Sequence, residues 1–351
     1  MFPDGVEKLL INNRKATCTV NYDTDSFEHT FSLDLVDVGD NKSEVFTKSV
    51  CAAMLSKDFS YVEGGVINGA VNNSEVFIEN RRVEIPNMFV CDHETTQAEY
   101  EKYMTYYGLQ EPDSASYYPK NMYKGDNYPV ISVSWYEAII YCNLRSQDEN
   151  LTPAYYITIY GEKNTDISQW GSYIKKVDGK YYYGSAESSN RLDSSTNGIK
   201  YDTTANGYRL PTEAEWEYIA REANATDYLY SGSNYYYDVA WFYENSKMNT
   251  SNTWLIYDVK SKNGNIFNIF DMSGNVAEWC FDWYNIITSD TPNNGGDNSS
   301  NNKRCIRGGG SSSHSYEKTV TSRGSWEPYY RTKLSSEYNG FRVVRTVYDN
   351  D

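Results

Sequence analysis

The chain is poor in the residues that carry most metal and nucleophile chemistry. Histidine occurs three times in 351 residues, at positions 29, 93 and 314. A Ser-His-Asp triad or a multi-histidine metal site starts from a thin inventory. His93-Glu-Thr-Thr-Gln also lacks the second histidine of a zinc-protease helix. Cysteine occurs six times, at 18, 51, 91, 142, 280 and 305, with no CxxC pair and no cysteine–histidine spacing. That is too few for a disulfide-built scaffold and does not fit a structural zinc site. Cys91, Cys142 and Cys280 lie in apolar patterns and read as core thiols, while Cys18 and Cys51 are candidates to pair within the first segment. Positive charge is short as well: 32 Lys and Arg against 48 Asp and Glu leave a formal net charge of −16. Such a chain repels phosphate backbones, which excludes a general nucleic-acid binder. No apolar run is long enough for a helix that crosses a bilayer. The start, Met1-Phe-Pro-Asp, forms neither the basic nor the apolar part of a leader. The chain is then either cytosolic, or a form without the leader that would direct it outward.

What is present in excess is tyrosine: 35 residues against 12 Phe and 8 Trp. Hydrophobic residues make up 39%, enough for a folded core, so global disorder is excluded. Tyr, Ser, Asn and Gly are the vocabulary of adaptable binding surfaces. The same tyrosines also serve as half-buried strand residues.

Residues 1–55 alternate polar and apolar side chains, as in Thr17-Cys-Thr-Val-Asn-Tyr and Phe31-Ser-Leu-Asp-Leu-Val, and predict a small β-rich N-terminal segment. From Phe59 the pattern gives short strands around Tyr61–Asn68 and Val83–Val90. Three helix starts follow. Thr96 opens a helix expected to run to Tyr107, before Gly108. Ser134-Trp-Tyr-Glu137 and Thr212-Glu-Ala-Glu215 are capping boxes, in which the hydroxyl accepts from a free N–H and the glutamate reaches back. The second helix presents Ala138, Ile139, Tyr141, Cys142 and Leu144, and the third Trp216, Ile219 and Ala220. Between them, 153–205 reads as a hairpin-bearing surface insertion. Beyond 220 turns and short aromatic strands dominate, and 289–303 is a polar loop. Few helices and much irregular chain imply an α+β fold with long loops.

Five segments carry a resemblance: Met88-Phe-Val-Cys-Asp-His-Glu-Thr-Thr-Gln-Ala-Glu-Tyr100, Tyr128-Pro-Val-Ile-Ser-Val-Ser-Trp-Tyr-Glu-Ala138, Tyr208-Arg-Leu-Pro-Thr-Glu-Ala-Glu-Trp-Glu-Tyr218, Asn268-Ile-Phe-Asp-Met-Ser-Gly-Asn-Val-Ala-Glu-Trp279, and Arg307-Gly-Gly with Gly340-Phe-Arg-Val-Val344. In this order they resemble the formylglycine-generating-enzyme (sulfatase-modifying factor) family over roughly residues 59–347. The resemblance implies one C-type-lectin-like domain over 56–351, irregular, with two main flanking helices. It also implies a calcium-binding stretch at Asn275, Val276 and Glu278, hence a structural Ca²⁺. Enzymes of the family bind copper through a cysteine pair near the C-terminus, the first cysteine a few residues beyond Arg-Gly-Gly-Ser. Here that stretch reads Arg307-Gly-Gly-Gly-Ser-Ser-Ser-His-Ser-Tyr-Glu-Lys and holds no cysteine. Serine cannot replace a thiolate on Cu(I), so the expectation is a non-enzymatic member.

The stretch 304–345 also resembles the variable region of retroelement-diversified proteins, most of all the treponemal kind, which are surface lipoproteins. The apparent frame is Arg307-Gly-Gly, Thr319–Arg323, Pro328, Arg331 and Gly340-Phe-Arg342. The positions between are Ser311, Ser312, Ser313, His314, Ser315, Tyr316, Ser325, Trp326, Glu327, Tyr329, Tyr330 and Tyr338. Ser, Tyr and His are typical outcomes of adenine mutagenesis in Asn codons, whereas Trp326 and Glu327 are not. Without the resemblance, the two runs lack helical or strand period and read as loops or exposed strand faces. Trp326, Tyr329 and Tyr330 are anchor-type rings that serve either a partner or the C-terminal strands. The expected partner is a protein or glycan on another cell or a host surface, the expected location the cell surface through a lipid-anchored leader. Two alternatives stay open: an oxidoreductase or chaperone-like relative of the formylglycine enzymes using Cys280 or Cys305, and a fixed-site carbohydrate-binding module.

Overall fold

Four strands lie between Lys8 and Cys51. In the computed structural model these are β1 (Lys8–Ile11), β2 (Arg14–Asn21), β3 (Glu28–Val36) and β4 (Phe46–Cys51). They form one antiparallel sheet in the order β1-β2-β3-β4. Cys18 lies on β2 and Cys51 on β4, with β3 between, so the two cysteines sit on strands that are not neighbours. Besides these backbones the structure describes residues 58–105, 124–172, 174–183, 198–246, 255–296, 302–330 and 338–348. The chain divides into two units, Met1–Lys57 with Asn350–Asp351, and Asp58–Asp349.

In the second unit the chain enters through β5 (Phe59–Val62), β6 (Gly65–Asn68), β7 (Arg82–Ile85) and β8 (Met88–Cys91). Helices α1 (Gln97–Glu101) and α2 (Trp135–Asp148) follow. Next come β9 (Tyr155–Ile159), β10 (Glu162–Asn164), β11 (Ile174–Val177), β12 (Lys180–Tyr183), β13 (Lys200–Tyr201) and β14 (Tyr208–Arg209). Helix α3 (Glu213–Ala220) precedes two single turns, α4 (Tyr236–Val239) and α5 (Tyr243–Ser246). The C-terminal strands are β15 (Ala277–Trp283), β16 (Arg304–Arg307), β17 (Gly324–Trp326), β18 (Asn339–Gly340) and β19 (Val344–Thr346). Two four-stranded sheets result, β14-β19-β8-β5 and β17-β16-β15-β18, the last pair parallel.

Each of the three helices starts on a capping box with both reciprocal hydrogen bonds present, at Thr96/Glu99, Ser134/Glu137 and Thr212/Glu215. The first is shorter than its pattern predicts, ending at Glu101. There the chain turns to bond β12: Thr105 N–H donates to the Tyr181 carbonyl at 2.8 Å, and Tyr181 N–H to that of Tyr103 at 3.2 Å. A strand partner takes the backbone groups that a longer helix would have paired internally.

Helix α2 packs against β15, and two indoles fix the contact. Trp135 Nε1 donates to the Cys280 carbonyl at 3.0 Å, and Trp279 Nε1 to that of Val133 at 2.8 Å. Each buried tryptophan removes roughly 200 Å² from water, an upper figure of about 5 kcal/mol. The insertion 153–205 is not confined to the surface: Tyr155, Ile157, Ile167, Trp170, Tyr183 and Ile199 join the same core as Trp135 and Trp279. A second core gathers Trp216 and Ile219 of α3 with Val62, Val83, Met88, Cys280, Cys305 and Val344. All eight residues of α3 are buried, its glutamates included. The sequence marks only the apolar face of α3; its glutamates are buried against Arg209, Arg307 and Arg323 from other parts of the chain.

Candidate ligand-binding surface

The C-terminal stretch is built from buried arginines and the side chains between them. Arg304 lies between two tryptophan rings, 3.8 Å from the Trp135 centroid and 3.4 Å from that of Trp283. Arg307 bonds Glu217 and Glu213 of α3. Arg323 forks onto Glu213, Nε and Nη2 each at 2.8 Å. Arg342 forks onto Glu278 of β15 at 2.6–2.9 Å. These forked, charge-assisted bonds join the stretch to elements far away in sequence. Removing one partner would leave a buried charge alone, so the arginines form a frame. Gly308 (φ 82°) and Gly309 (φ 70°) turn the chain out of β16. A Cβ on Gly309 would stand 2.6 Å from Lys318 Cγ. Pro328 is buried, while Arg331 lies outside the described residues.

The positions between these arginines differ in exposure. Ser312, His314, Ser325, Trp326, Glu327, Tyr329 and Tyr330 are half-buried, and Tyr316 is 71% exposed. Ser311, Ser313, Ser315 and Tyr338 are buried, which corrects the expectation of a loop open along its whole length. Their main chains explain it. Ser311 N–H donates to the Asn275 carbonyl at 2.9 Å, and its own carbonyl accepts from Ser246 Oγ at 2.6 Å. The Ser313 carbonyl accepts from Tyr243 N–H at 2.9 Å, and that of Ser315 from the Tyr230 hydroxyl at 3.2 Å. Alternate residues are thus tied down against 230–246, and those between face outward.

The residues fall in two groups. Ser325 and Trp326 lie level with Cys305 and Arg304 at one end of β16. Ser311–Tyr316 lies past Arg307 at the other, about 10 Å of strand away. At the first end Trp326 and Tyr330 stack with centroids 4.8 Å apart and planes at 11°. Trp326 and Tyr329 also pack against the core, which is the second of the two readings of these rings. The indole N–H of Trp326 is buried with no hydrogen-bond partner among the described residues. At the second end the rings of Tyr243, His314 and Tyr316 form a ladder, 4.3 Å and 5.1 Å between successive centroids.

Sequence reasoning missed the segment that completes this second end. Tyr235 is 73% exposed and Tyr237 58%, and Tyr243 and Glu244 touch His314. The one available signal was tyrosine density: Tyr235-Tyr-Tyr and Tyr243 fall within nine residues.

The residues do not fit the metals that the resemblance implies. Both Glu278 oxygens accept from Arg342, and one accepts Trp216 Nε1 at 2.8 Å as well. Asn275 Oδ1 accepts from Tyr257 N–H at 3.1 Å, while its Nδ2 donates to Glu94 at 2.7 Å. Val276 N–H donates to Glu94 at 3.0 Å. Calcium needs six to eight oxygens, and here the candidate oxygens are engaged by a guanidinium, an indole and an amide. With these oxygens engaged, Asn275 and Glu278 do not fit the Ca²⁺ expected at Asn275, Val276 and Glu278. Copper fares no better. Cys142, Cys280 and Cys305 are fully buried free thiols, and burial pushes all three up, away from the thiolate that binds Cu(I). Cys305 Sγ donates to Glu213 at 3.2 Å.

One further cluster has metal-ligating side chains, Cys91, His93 and Glu99, with ligand atoms within 4.8 Å of one another. Its nitrogens are already taken: His93 Nδ1 lies 2.6 Å from Asp92 Oδ1, and Nε2 3.3 Å from Glu99 Oε2. Burial opposes the histidine charge, but Cys91, Asp92 and Glu99 push it up to about 12. Burial likewise opposes the Glu99 charge, and His93, Thr96 and Arg145 bring it down to about 2. The cluster is a charged clamp between β8 and α1.

The profile described as "Sulfatase-modifying factor enzyme 1-like domain" matches residues 47–347. The chain is 32% identical over 252 residues to the chaperone protein LppX of Paenibacillus barcinonensis, covering 68% of this chain and 76% of that one. Over 87 residues it is 37% identical to the formylglycine-generating enzyme of Streptomyces coelicolor, which covers 22% of this chain and 27% of that enzyme. Among solved structures it is similar to Treponema denticola variable protein 1, with a TM-score of 0.62 and 25% identity, covering 87% of this chain and 96% of that one.

Proposed function

We propose that this chain, which belongs to the sulfatase-modifying factor enzyme 1-like family, is a ligand-binding member of it without catalysis, displayed on a cell surface and diversified in its C-terminal stretch by a retroelement. One observation carries the reading. From 304 to 342, four arginines are locked into the core by rings and carboxylates of other elements, while side chains between them reach the surface. A surface of this kind can be rewritten without unfolding the scaffold. Exposed substitutions away from special features cost within about 0.5 kcal/mol. Affinity would come from a few aromatic anchors, with serines giving adaptable contacts. The likeness to a variable protein supports this, and the absence of a cysteine beyond Arg307-Gly-Gly supports a non-enzymatic role. The likeness to LppX, a chaperone by name, supports a role outside formylglycine chemistry.

The test is to sequence codons 304–345 from many cells of one source population. Substitutions at the half-exposed and exposed positions, with Arg307, Arg323, Pro328 and Gly340 unchanged, are expected. A monomorphic stretch would overturn diversification and leave a fixed binding site. For the absence of catalysis, the purified chain is incubated with copper and a cysteine-bearing sulfatase peptide. Unchanged peptide is expected; conversion to formylglycine would return the chain to the enzymes.

A further inference from the structure

The ring ladder at the second end of β16 has a definite chemistry. His314 lies between Tyr243 and Tyr316, its planes at 36° and 27° to theirs. Its Nδ1 stands 3.0 Å from Glu244 Oε1, and the other oxygen of Glu244 accepts Ser315 N–H at 3.1 Å. Burial opposes the charge of Glu244, but the bonds from His314 and Ser315 hold its carboxyl below the usual range. Past His314 the ladder ends on Tyr316, which is largely exposed, and the next residue, Glu317, is exposed too. Both belong to a short 3-10 turn, Ser315–Glu317, whose start is tied by the Tyr230 hydroxyl to the Ser315 carbonyl. The last rung is therefore held in place at its backbone and open at its ring.

We propose that this ladder, with the exposed Glu317 next to Tyr316 in the same turn, recognises an arginine side chain of a basic peptide. The inference rests on the reading of 311–338 as a ligand site and gives that site a ligand class. The chain itself displays the mode: a flat nitrogen ring stacked between tyrosines with one nitrogen on a carboxylate. A guanidinium is flat, weakly hydrated and permanently charged, so it stacks on the face of Tyr316 as a further rung. Glu244 is held by His314 and Ser315, so Glu317 is the carboxylate left to accept the guanidinium N–H groups. Lysine offers a compact, strongly hydrated charge that cannot stack. The net charge of −16 draws a basic peptide in from a distance, and the ladder chooses among such peptides.

The experiment uses the intact chain and a fluorescein-labelled Gly-Arg-Gly-Arg-Gly-Arg peptide, with lysine and citrulline versions, read by anisotropy at 150 mM salt. The arginine peptide is expected to bind about tenfold tighter than the lysine peptide, and the citrulline peptide not to bind. Tyr316→Ala and Glu317→Gln, both at exposed positions that leave the fold intact, are each expected to weaken arginine-peptide binding about tenfold. Tyr160→Asn, at a fully exposed tyrosine in the turn between β9 and β10, is expected to leave it unchanged. Equal affinity for the lysine peptide, or binding indifferent to Tyr316→Ala, would mean attraction by bulk charge and would overturn the proposal. No binding of the arginine peptide would also overturn it. If codons 311–338 nonetheless vary, the ligand-site reading survives that failure; a monomorphic stretch beside arginine-specific binding would sink diversification and keep the arginine site.

Discussion

The sharpest consequence of the structure concerns Glu278. Its carboxylate and the guanidinium of Arg342 are both fully buried, and three contacts of 2.6–2.9 Å join them. Glu278→Gln keeps the shape and one acceptor but turns an amide toward the guanidinium and leaves a buried charge uncompensated. Breaking one side of such a pair costs about 3–5 kcal/mol. Trp216 Nε1 draws on the same carboxylate, at 2.8 Å, which places the expected loss toward the upper end. For a domain of this size that is a fall in Tm on the order of 10 °C. Glu278→Gln combined with Arg342→Met removes both charges, and the double variant should lie above the single one, since well-packed apolar replacements of buried pairs come out near neutral. The assay is thermal and urea unfolding of wild type, single and double variants, with 1 mM calcium and with EDTA. Calcium should shift none of them. A wild-type Tm that drops in EDTA while that of Glu278→Gln does not would refute the argument and restore Glu278 as a metal ligand.

Three further outcomes are expected. Burial first, then neighbouring Glu213, pushes the Asp282 carboxyl up to about 8 from an ordinary 3.8. Between those values the folded state keeps a proton that the unfolded chain has lost, so stability falls as pH rises. Asp282→Asn has no such proton, and should gain on wild type by several kcal/mol, as an order of magnitude, between pH 4 and 8; urea midpoints showing a constant difference would contradict the assignment. Ser311→Tyr should cost about 1–3 kcal/mol through overpacking at a site with 0% exposure, whereas Ser312→Tyr should stay within about 0.5 kcal/mol; equal midpoints would show that the alternation of buried and open positions is wrong. Glu99, brought down to about 2 from 4.5, contributes stability that is complete above the upper value and lost as pH falls through the lower. Glu99→Gln should therefore flatten the acid limb of the unfolding curve below pH 4.5, and an unchanged limb would exclude the clamp with His93.

Local signals were legible wherever chemistry acts between near neighbours. A capping box needs only residues three apart: the two read at Ser134 and Thr212 have both bonds formed, and Thr96, read as a helix start, forms a third. Cys91, Cys142 and Cys280 lay in apolar patterns and are buried. The five ordered segments pointed to the family, because each encodes a buried contact: Arg209 forks onto Glu215, Trp279 bonds Val133, and Arg342 grips Glu278. Where the reading went astray, a distant partner decided. Tyr155 and Tyr183 look like surface residues of a polar insertion, yet they enter the core beside Trp135. Asn275 and Glu278 have the residue types of calcium ligands, and only Arg342, Glu94 and Tyr257 show that these groups are already engaged.

The sequence by itself determined the family, the α+β class, the helix starts and the absence of a cysteine where the enzymes of the family carry one. Periodicity, capping and motif order are properties of neighbours along the chain, and they survive without coordinates. Tertiary structure decided which residues of the C-terminal stretch reach the surface. It tied Ser311, Ser313 and Ser315 to the main chain and side chains of 230–275 and left Tyr316 open. It also brought Tyr243 and Glu244 to His314, some seventy residues apart. Exposure and charge pairing depend on what packs from far away, and no local pattern in the chain encodes it.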